Sequence, residues 1–300
     1  MSKGHLEKPG PPDTGSIEKQ EVRALIRLLD DPDPFIKKTV TARLSVLKEC
    51  HVPILDEIRV EIRDESHRAY VTELIHDLTI DTLEQSFLDY LDLGLSGIEQ
   101  LEKGQLLLCL IDNPTLRMDL YRRQLDKMAS RLEKRIHPDD TDLEKISVLA
   151  SFFFREELFK GADDDYMNPD NFFIHKVLQR RKGIPITLSM IMLFVANRLD
   201  LPLYGVNMPM HFLIKWEADG NTHYMDPFNQ GRIVSLDQCS FFLRSHGVEP
   251  LPRFFKKATA ADMMGRSLRN LIYSFDQAGH AKRVAELQRF LKHFETSCRL

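Results

Sequence analysis

Three short pieces of this 300-residue chain carry side chains fit for chemistry, all between Asn168 and Gly231. Gly183-Ile184-Pro185 leads into an apolar helix, His211 heads a strand, and Asp226-Pro227 ends the next one. The run His211-Phe212-Leu213-Ile214-Lys215-Trp216 alternates, Asp219-Gly220 is a hairpin turn signal, and Thr222 to Met225 returns as the partner strand. Counting back from the turn puts His211 across from Asp226 within a residue or so of register. Directly opposed side chains in an antiparallel pair sit about 5 Å apart at Cβ. A histidine and a carboxylate so placed suggest a hydrolase or acyl-transfer site. The nucleophile that should complete it, at the start of the helix, is not where such chemistry would put it. Thr187 and Ser189 follow Pro185 within the first turn or so, and Ser189 reaches the imidazole only if the helix is rotated or shifted. Cys239 lies past Asp226 and would need a different geometry.

The neighbouring polar residues have structural roles beside functional ones. Asn168, Asp170 and Asn171 are placed to cap the next helix, although their amides near His211 could also line a ligand cleft. His175 sits on a helix whose other residues, Phe172, Val177 and Leu178, face the core. It reads as a core histidine; zinc held by His175, His211 and Asp226 would need particular geometry and outer partners, so no metal is assigned. The adjacent aspartates Asp163, Asp164 and Asp165 lack the alternating ligands and final glutamate of a calcium loop. No cofactor is expected. Arg180, Arg181 and Lys182 could clamp a small anion beside Pro185, where a helix start offers free N–H groups.

These residues must be positioned by a soluble chain of ordinary composition, 43% apolar and 29% charged. A net charge of −4 gives no broad basic field and argues against nucleic acid as a partner. Cys50, Cys109, Cys239 and Cys298 are far apart and read as reduced thiols. No apolar run is long enough to span a bilayer, and the polar, proline-rich start lacks a signal-peptide pattern, so the expected compartment is cytoplasmic. Residues 1–16 are expected to be a disordered tail. Residues 17–95 show helical periodicity broken by Asp30-Asp31-Pro32-Asp33-Pro34, with helices expected at Ile54 to Ile62, Ala69 to Leu78 and Thr82 to Leu93. A helix, D-x-D-P and a second helix carrying Ala42 suggest a HEAT-like region. Helices then follow from Ile98 to Ile111, from Asn113-Pro114 to Arg135, from Leu143 to Phe154, from Phe172 to about Arg181 and from Ile186 to Leu199, before the strands begin. Residues 251–300 form a helical hairpin around Ala278-Gly279 that echoes half of a TPR unit. The expected fold class is α+β.

The stretch NPDNFFIHKVLQRRKGIPITLSMIMLFVANRLDLPLYGVNMPMHFLIKW, followed by THYMDPFNQG, resembles the bacterial SirB-type transglutaminase-like family, described as regulators of sirC expression with transglutaminase-like and TPR parts. The upstream LEKGQLLLCLIDNP and RRQLDKMASRLEKRI resemble its helical lead-in. That resemblance implies a papain-like core over residues 96–250, in which a buried helix headed by a catalytic cysteine packs on a small antiparallel sheet bearing His and Asp. The helix dipole would favour the thiolate, the His would take its proton and the Asp would hold the imidazole tautomer. Carried across, His211 and Asp226 match the His and Asp, whereas the cysteine position falls on Pro185. The expectation is therefore a regulatory protein with a vestigial triad, engaging a protein partner through its helical regions and no membrane. An enzyme using Ser189, Thr187 or Cys239 is the alternative.

Overall fold

The computed structural model describes residues 19–218 and 220–298. The tail expected over 1–16 and the turn residue Asp219 lie outside the described residues. The chain divides into two compact units between Ile80 and Asp81.

The first unit is helical. α1 (Lys19–Arg27), α2 (Pro34–Leu44), α3 (Val52–Glu61) and α4 (Glu65–Asp92) follow one another, and the division falls inside α4. α2 starts where the sequence says it should: the Asp33 carboxylate accepts from the Phe35 N–H at 2.8 Å, with Pro34 at the first helical position. Val22, Ile26, Val40, Leu44, Leu55, Ile58, Val71 and Ile75 form one buried cluster. Two helices were expected over Ala69 to Leu93, and one continuous helix of 28 residues stands there. Thr79-Ile80-Asp81 contains neither glycine nor proline, so nothing in that join stops the helix.

The second unit carries the strands. It contains α5 (Ile98–Cys109), α6 (Met118–Glu133), α7 (Asp142–Ser151), the short strand β1 (Lys160–Gly161), α8 (Ile174–Arg180), β2 (Lys182–Gly183) and α9 (Pro185–Asn197). The strands β3 (Tyr204–Val206), β4 (Leu213–Ala218), β5 (Asn221–Asp226) and β6 (Arg232–Val234) precede α10 (Leu236–Ser245), α11 (Ala260–Gln277) and α12 (Ala281–Cys298). β3 to β6 form an antiparallel sheet in sequence order, while β1 and β2 pair in parallel on their own. The architecture is α+β, mostly helical with two small sheets.

Residues 185 to 196 of α9 are buried on every side. This helix packs against α5, α6 and α8 and against β3 and β4, which accounts for its all-round apolar sequence. Three boundaries differ from expectation for local reasons. α6 starts at Met118, because the Leu116 N–H closes a turn onto the Asn113 carbonyl. α8 starts at Ile174, after a 3-10 turn over Pro169–Asn171 that Asn168 caps. The three phenylalanines after α7 lie in a π-turn, Phe152–Glu156, with Phe152 and Phe153 buried. α11 and α12 pack on each other, as the hairpin reading requires.

Candidate functional site

His211 lies two residues ahead of β4, in a loop where Met210 adopts φ of 63°. Its own N–H donates to the Met208 carbonyl at 3.2 Å. The β4–β5 register pairs Ile214 with Met225, so Asp226 falls opposite Leu213 and the imidazole crosses diagonally to reach it. The approach is close: His211 Nε2 stands 2.8 Å from Asp226 Oδ2. Asp226 also accepts from Asn229 Nδ2 at 2.7 Å and from the N–H groups of Phe228 and Asn229 at 3.1 and 3.3 Å. Burial alone would raise the carboxyl pKa, but the His211 contact and the Asn229 donors outweigh it and hold Asp226 below its ordinary value. With Nε2 committed to the carboxylate, Nδ1 is the ring nitrogen left for an incoming group, and the side chain is 14% exposed. The ring is walled by Phe228, edge-on at 6.3 Å, and by Phe242 at 5.8 Å between centroids.

Pro185 takes the first position of α9, after an extended Ile184. Thr187, three residues from the cap, accepts from the Ile184 N–H at 3.1 Å and donates to the Asn171 carbonyl at 2.9 Å. Ser189 donates to the Pro185 carbonyl at 2.7 Å and is fully buried. Both hydroxyls are therefore spent on main-chain carbonyls. Cys239 sits in the core beneath the sheet with Val206, Leu213, Tyr224 and Leu243. Burial, reinforced by the charge of Asp226, pushes its thiol up to about 11, which keeps it protonated at neutral pH.

A layer of backbone links the helix start to the imidazole. Gly183 pairs with Gly161 across β1 and β2. A Cβ on Gly161 would come within 2.7 Å of the Phe228 carbonyl, so Phe228 rests directly on that strand. Phe228 in turn touches His211 and the ring of Tyr166, the latter at 5.9 Å. Tyr166, Phe228, Asn229, Phe242 and Gly161 were not among the site residues read from the sequence. Of these only Asn229 left a signal, since an aspartate followed by proline, with an asparagine and a glycine three and five residues on, marks a side-chain-stabilised turn.

The remaining candidates lie in the supporting frame. Asn168 accepts from the Asp170 N–H at 3.0 Å. Asn171 is completely buried; its amide donates to the Asp165 carbonyl at 2.6 Å and accepts from Arg180 Nη1 at 3.1 Å. It thus ties the loop bearing Tyr166 to α8, and its own carbonyl holds Thr187. His175 is bonded to Asp112 Oδ2 at 3.0 Å and contacts Tyr121, with no contact to His211. Of the basic trio, Arg180 pairs with Asp165 at 3.0 Å, Arg181 with Glu157 at 2.6 Å and Lys182 with Asp165 at 2.7 Å. The acidic loop is therefore a counter-charge to Arg180 and Lys182, while Glu157 serves Arg181.

A sequence model of the transglutaminase-like superfamily matches residues 119–269, half of the chain. This chain belongs to the transglutaminase-like superfamily. The match spans the site, from α6 through the sheet and into α11. Among curated relatives it is similar to a UPF0162 protein of Xylella fastidiosa, 31% identical over 172 residues that cover 55% of this chain and 61% of that one. A UPF0162 protein of Vibrio cholerae is 30% identical over 148 residues, 49% of this chain and 54% of the relative. F-box only protein 21 of Mus musculus is 41% identical over 96 residues, 29% of this chain but 15% of that protein. The chain thus spans about three fifths or less of the length of the curated relatives it matches. No solved structure matches it. No helix among the described residues is long and apolar enough to cross a membrane.

Proposed function

We propose that this chain is a cytoplasmic regulatory module that uses a transglutaminase-like fold for protein interaction, with Pro185 standing where catalytic members carry cysteine. One observation carries this: the hydroxyl-bearing side chains nearest in sequence to that helix start, Thr187 and Ser189, have both hydroxyls bonded to main-chain carbonyls. A proline opens the helix well but has no atom that attacks a carbonyl. The His211–Asp226 pair then fixes the loop before β4 to the end of β5. On this reading α1 to α4 act as a HEAT-like surface and α11 with α12 as a TPR-like hairpin, both presenting helical faces to a protein partner. The shared stretch in F-box only protein 21, where it is a small part of a longer chain, supports a module that works within larger proteins.

A panel of thioester and amide substrates, assayed with the full chain and with His211→Ala, tests the proposal. The expected result is no turnover by the full chain above that of His211→Ala. A rate that falls by about 100-fold or more in the variant, the usual effect of losing a positioned general base, would overturn it.

One feature of the site favours an enzyme instead. Among the described residues no partner occupies His211 Nδ1, so the dyad could activate a water molecule or an unconventional nucleophile such as Cys239, Ser189 or Thr187. Labelling by a thiol- or hydroxyl-directed electrophile that disappears on substituting one of these three is the sign of that case.

A further inference from the structure

Arg266 lies on α11, forty residues beyond Asp226 in sequence, and reaches the loop that leads to His211. Its Nη1 donates to Asn207 Oδ1 at 2.6 Å and to the Met208 carbonyl at 2.8 Å. The Met208 carbonyl is also the acceptor for the main-chain N–H of His211, so the guanidinium and the backbone that carries the imidazole share one acceptor. Both acceptors of Arg266 are neutral, and no carboxylate pairs with it among the described residues. That sets it apart from Arg131, Arg180, Arg181 and Arg198, each of which meets an aspartate or glutamate.

The geometry of the fork identifies what is missing. Nη1 carries two hydrogens, and its two acceptors use both. The free donors are those of Nε and Nη2, which lie side by side along one edge of the planar group. That edge is the two-donor face that grips a carboxylate or phosphate through two oxygens. Arg266 is only partly buried. The guanidinium also lies 5.8 Å from the Phe212 ring centroid, which stiffens it. Electrostatics agree with a cation short of an anion: burial holds Arg266 below its ordinary pKa, Tyr166 is the group that opposes this, and Arg269 adds to it. The Tyr166 hydroxyl has no hydrogen-bond partner among the described residues and is itself raised by burial. The main chain one residue on is held to α11, where Ser274 donates to the Met167 carbonyl at 2.8 Å.

We propose that the free edge of Arg266, with the Tyr166 hydroxyl, is a binding site beside His211 for an oxyanion that presents two oxygens side by side, a carboxylate or a phosphate. It does not depend on whether the His211–Asp226 pair turns anything over, because it concerns binding alone. A regulatory module would use it to read a small acid or a free chain end, and an enzyme would use it to orient one.

Isothermal titration of the full chain at constant ionic strength tests this with N-acetylglycine, N-acetylglycinamide and inorganic phosphate as probes. The expected result is saturable binding of at least one anion and none of the uncharged amide. Binding of the first probe identifies carboxylate as the source and binding of phosphate identifies phosphate. Arg266→Lys keeps the charge but loses the fork, and should weaken binding by roughly tenfold or more. Tyr166→Phe should weaken it by a smaller factor. Arg266→Gln should abolish it; if the loss of the Asn207 and Met208 contacts unfolds that variant, the lysine variant decides alone. No saturable binding of either anion, binding of the amide as tight as the acid, or unchanged affinity in Arg266→Lys would each overturn the proposal.

Discussion

Asp226 is the most heavily engaged side chain of the site, and its role is open to a direct thermodynamic test. Its two oxygens receive His211, the Asn229 amide and two backbone N–H groups. In Asp226→Asn, one of those oxygens becomes an NH₂ that faces donors, leaving a part-buried group without an acceptor. The variant should lose about 1 to 3 kcal/mol of stability at pH 7, measured by urea denaturation. The pH dependence follows from the sign of the shift. The folded carboxyl titrates below its ordinary value of 3.8, so the unfolded chain takes up the proton first on acidification. The Asp226 contribution is then fully present above pH 3.8 and is lost as pH falls through the folded value. The stability gap between wild type and variant should therefore close as pH falls below about 4; a gap that stays fully open well below that pH would contradict this assignment. The His–Asp pairing itself was legible from the turn count, although the contact is diagonal rather than directly across. Arg266 and Tyr166 were not legible. They come from elements far from the hairpin in sequence, and only tertiary packing brings them to it.

At the level of elements, what could be read depended on length. α9 announces itself through Gly183, Pro185 and an almost entirely apolar run, and the β4–β5 hairpin through alternation and a glycine turn. β1 and β2 are two residues each, too short for any alternation to appear, and they pair in parallel from positions about twenty residues apart. Yet this small sheet supports the wall of the site. Gly161 leaves just enough room for Phe228, since a Cβ there would meet the Phe228 carbonyl at 2.7 Å and its ring at 2.9 Å. A backbone carbonyl cannot swing aside as a side-chain tip can. Gly161→Ala should therefore cost about 1 to 3 kcal/mol, as overpacking does, and displace Phe228 from the imidazole. Proton NMR of the ring resonances of His211 would report that displacement, through loss of the ring-current effect of the edge-on phenylalanine. Unchanged His211 resonances in a destabilised variant would mean that β1 yields and Phe228 does not.

Across the whole molecule, the division at Ile80–Asp81 was invisible in sequence because it lies within an unbroken helix, whereas the glycines Gly94 and Gly97 advertise a change near residue 95. A boundary inside a helix carries no punctuation, and only the distribution of contacts on either side reveals it. The first unit has a core of its own, in which Leu55 is completely buried among Val22, Ile26, Val40 and Ile58. Leu55→Ala should remove about 2 to 5 kcal/mol from that unit, the usual cost of a cavity at a closed site. Because compact units open as separate cooperative blocks, amide exchange in α1, α2 and α3 should accelerate in the variant while β4 and β5 keep their protection. Hydrogen exchange read by mass spectrometry resolves these segments, since α3 and β4 are separated by more than a hundred residues. Equal acceleration in β4 and β5 would mean that the two units unfold as one, and that a partner engaging the first would be felt directly at the loop holding His211. The opposite outcome makes the helical start a surface that can be occupied without disturbing the His211–Asp226 pair, as an interaction module requires.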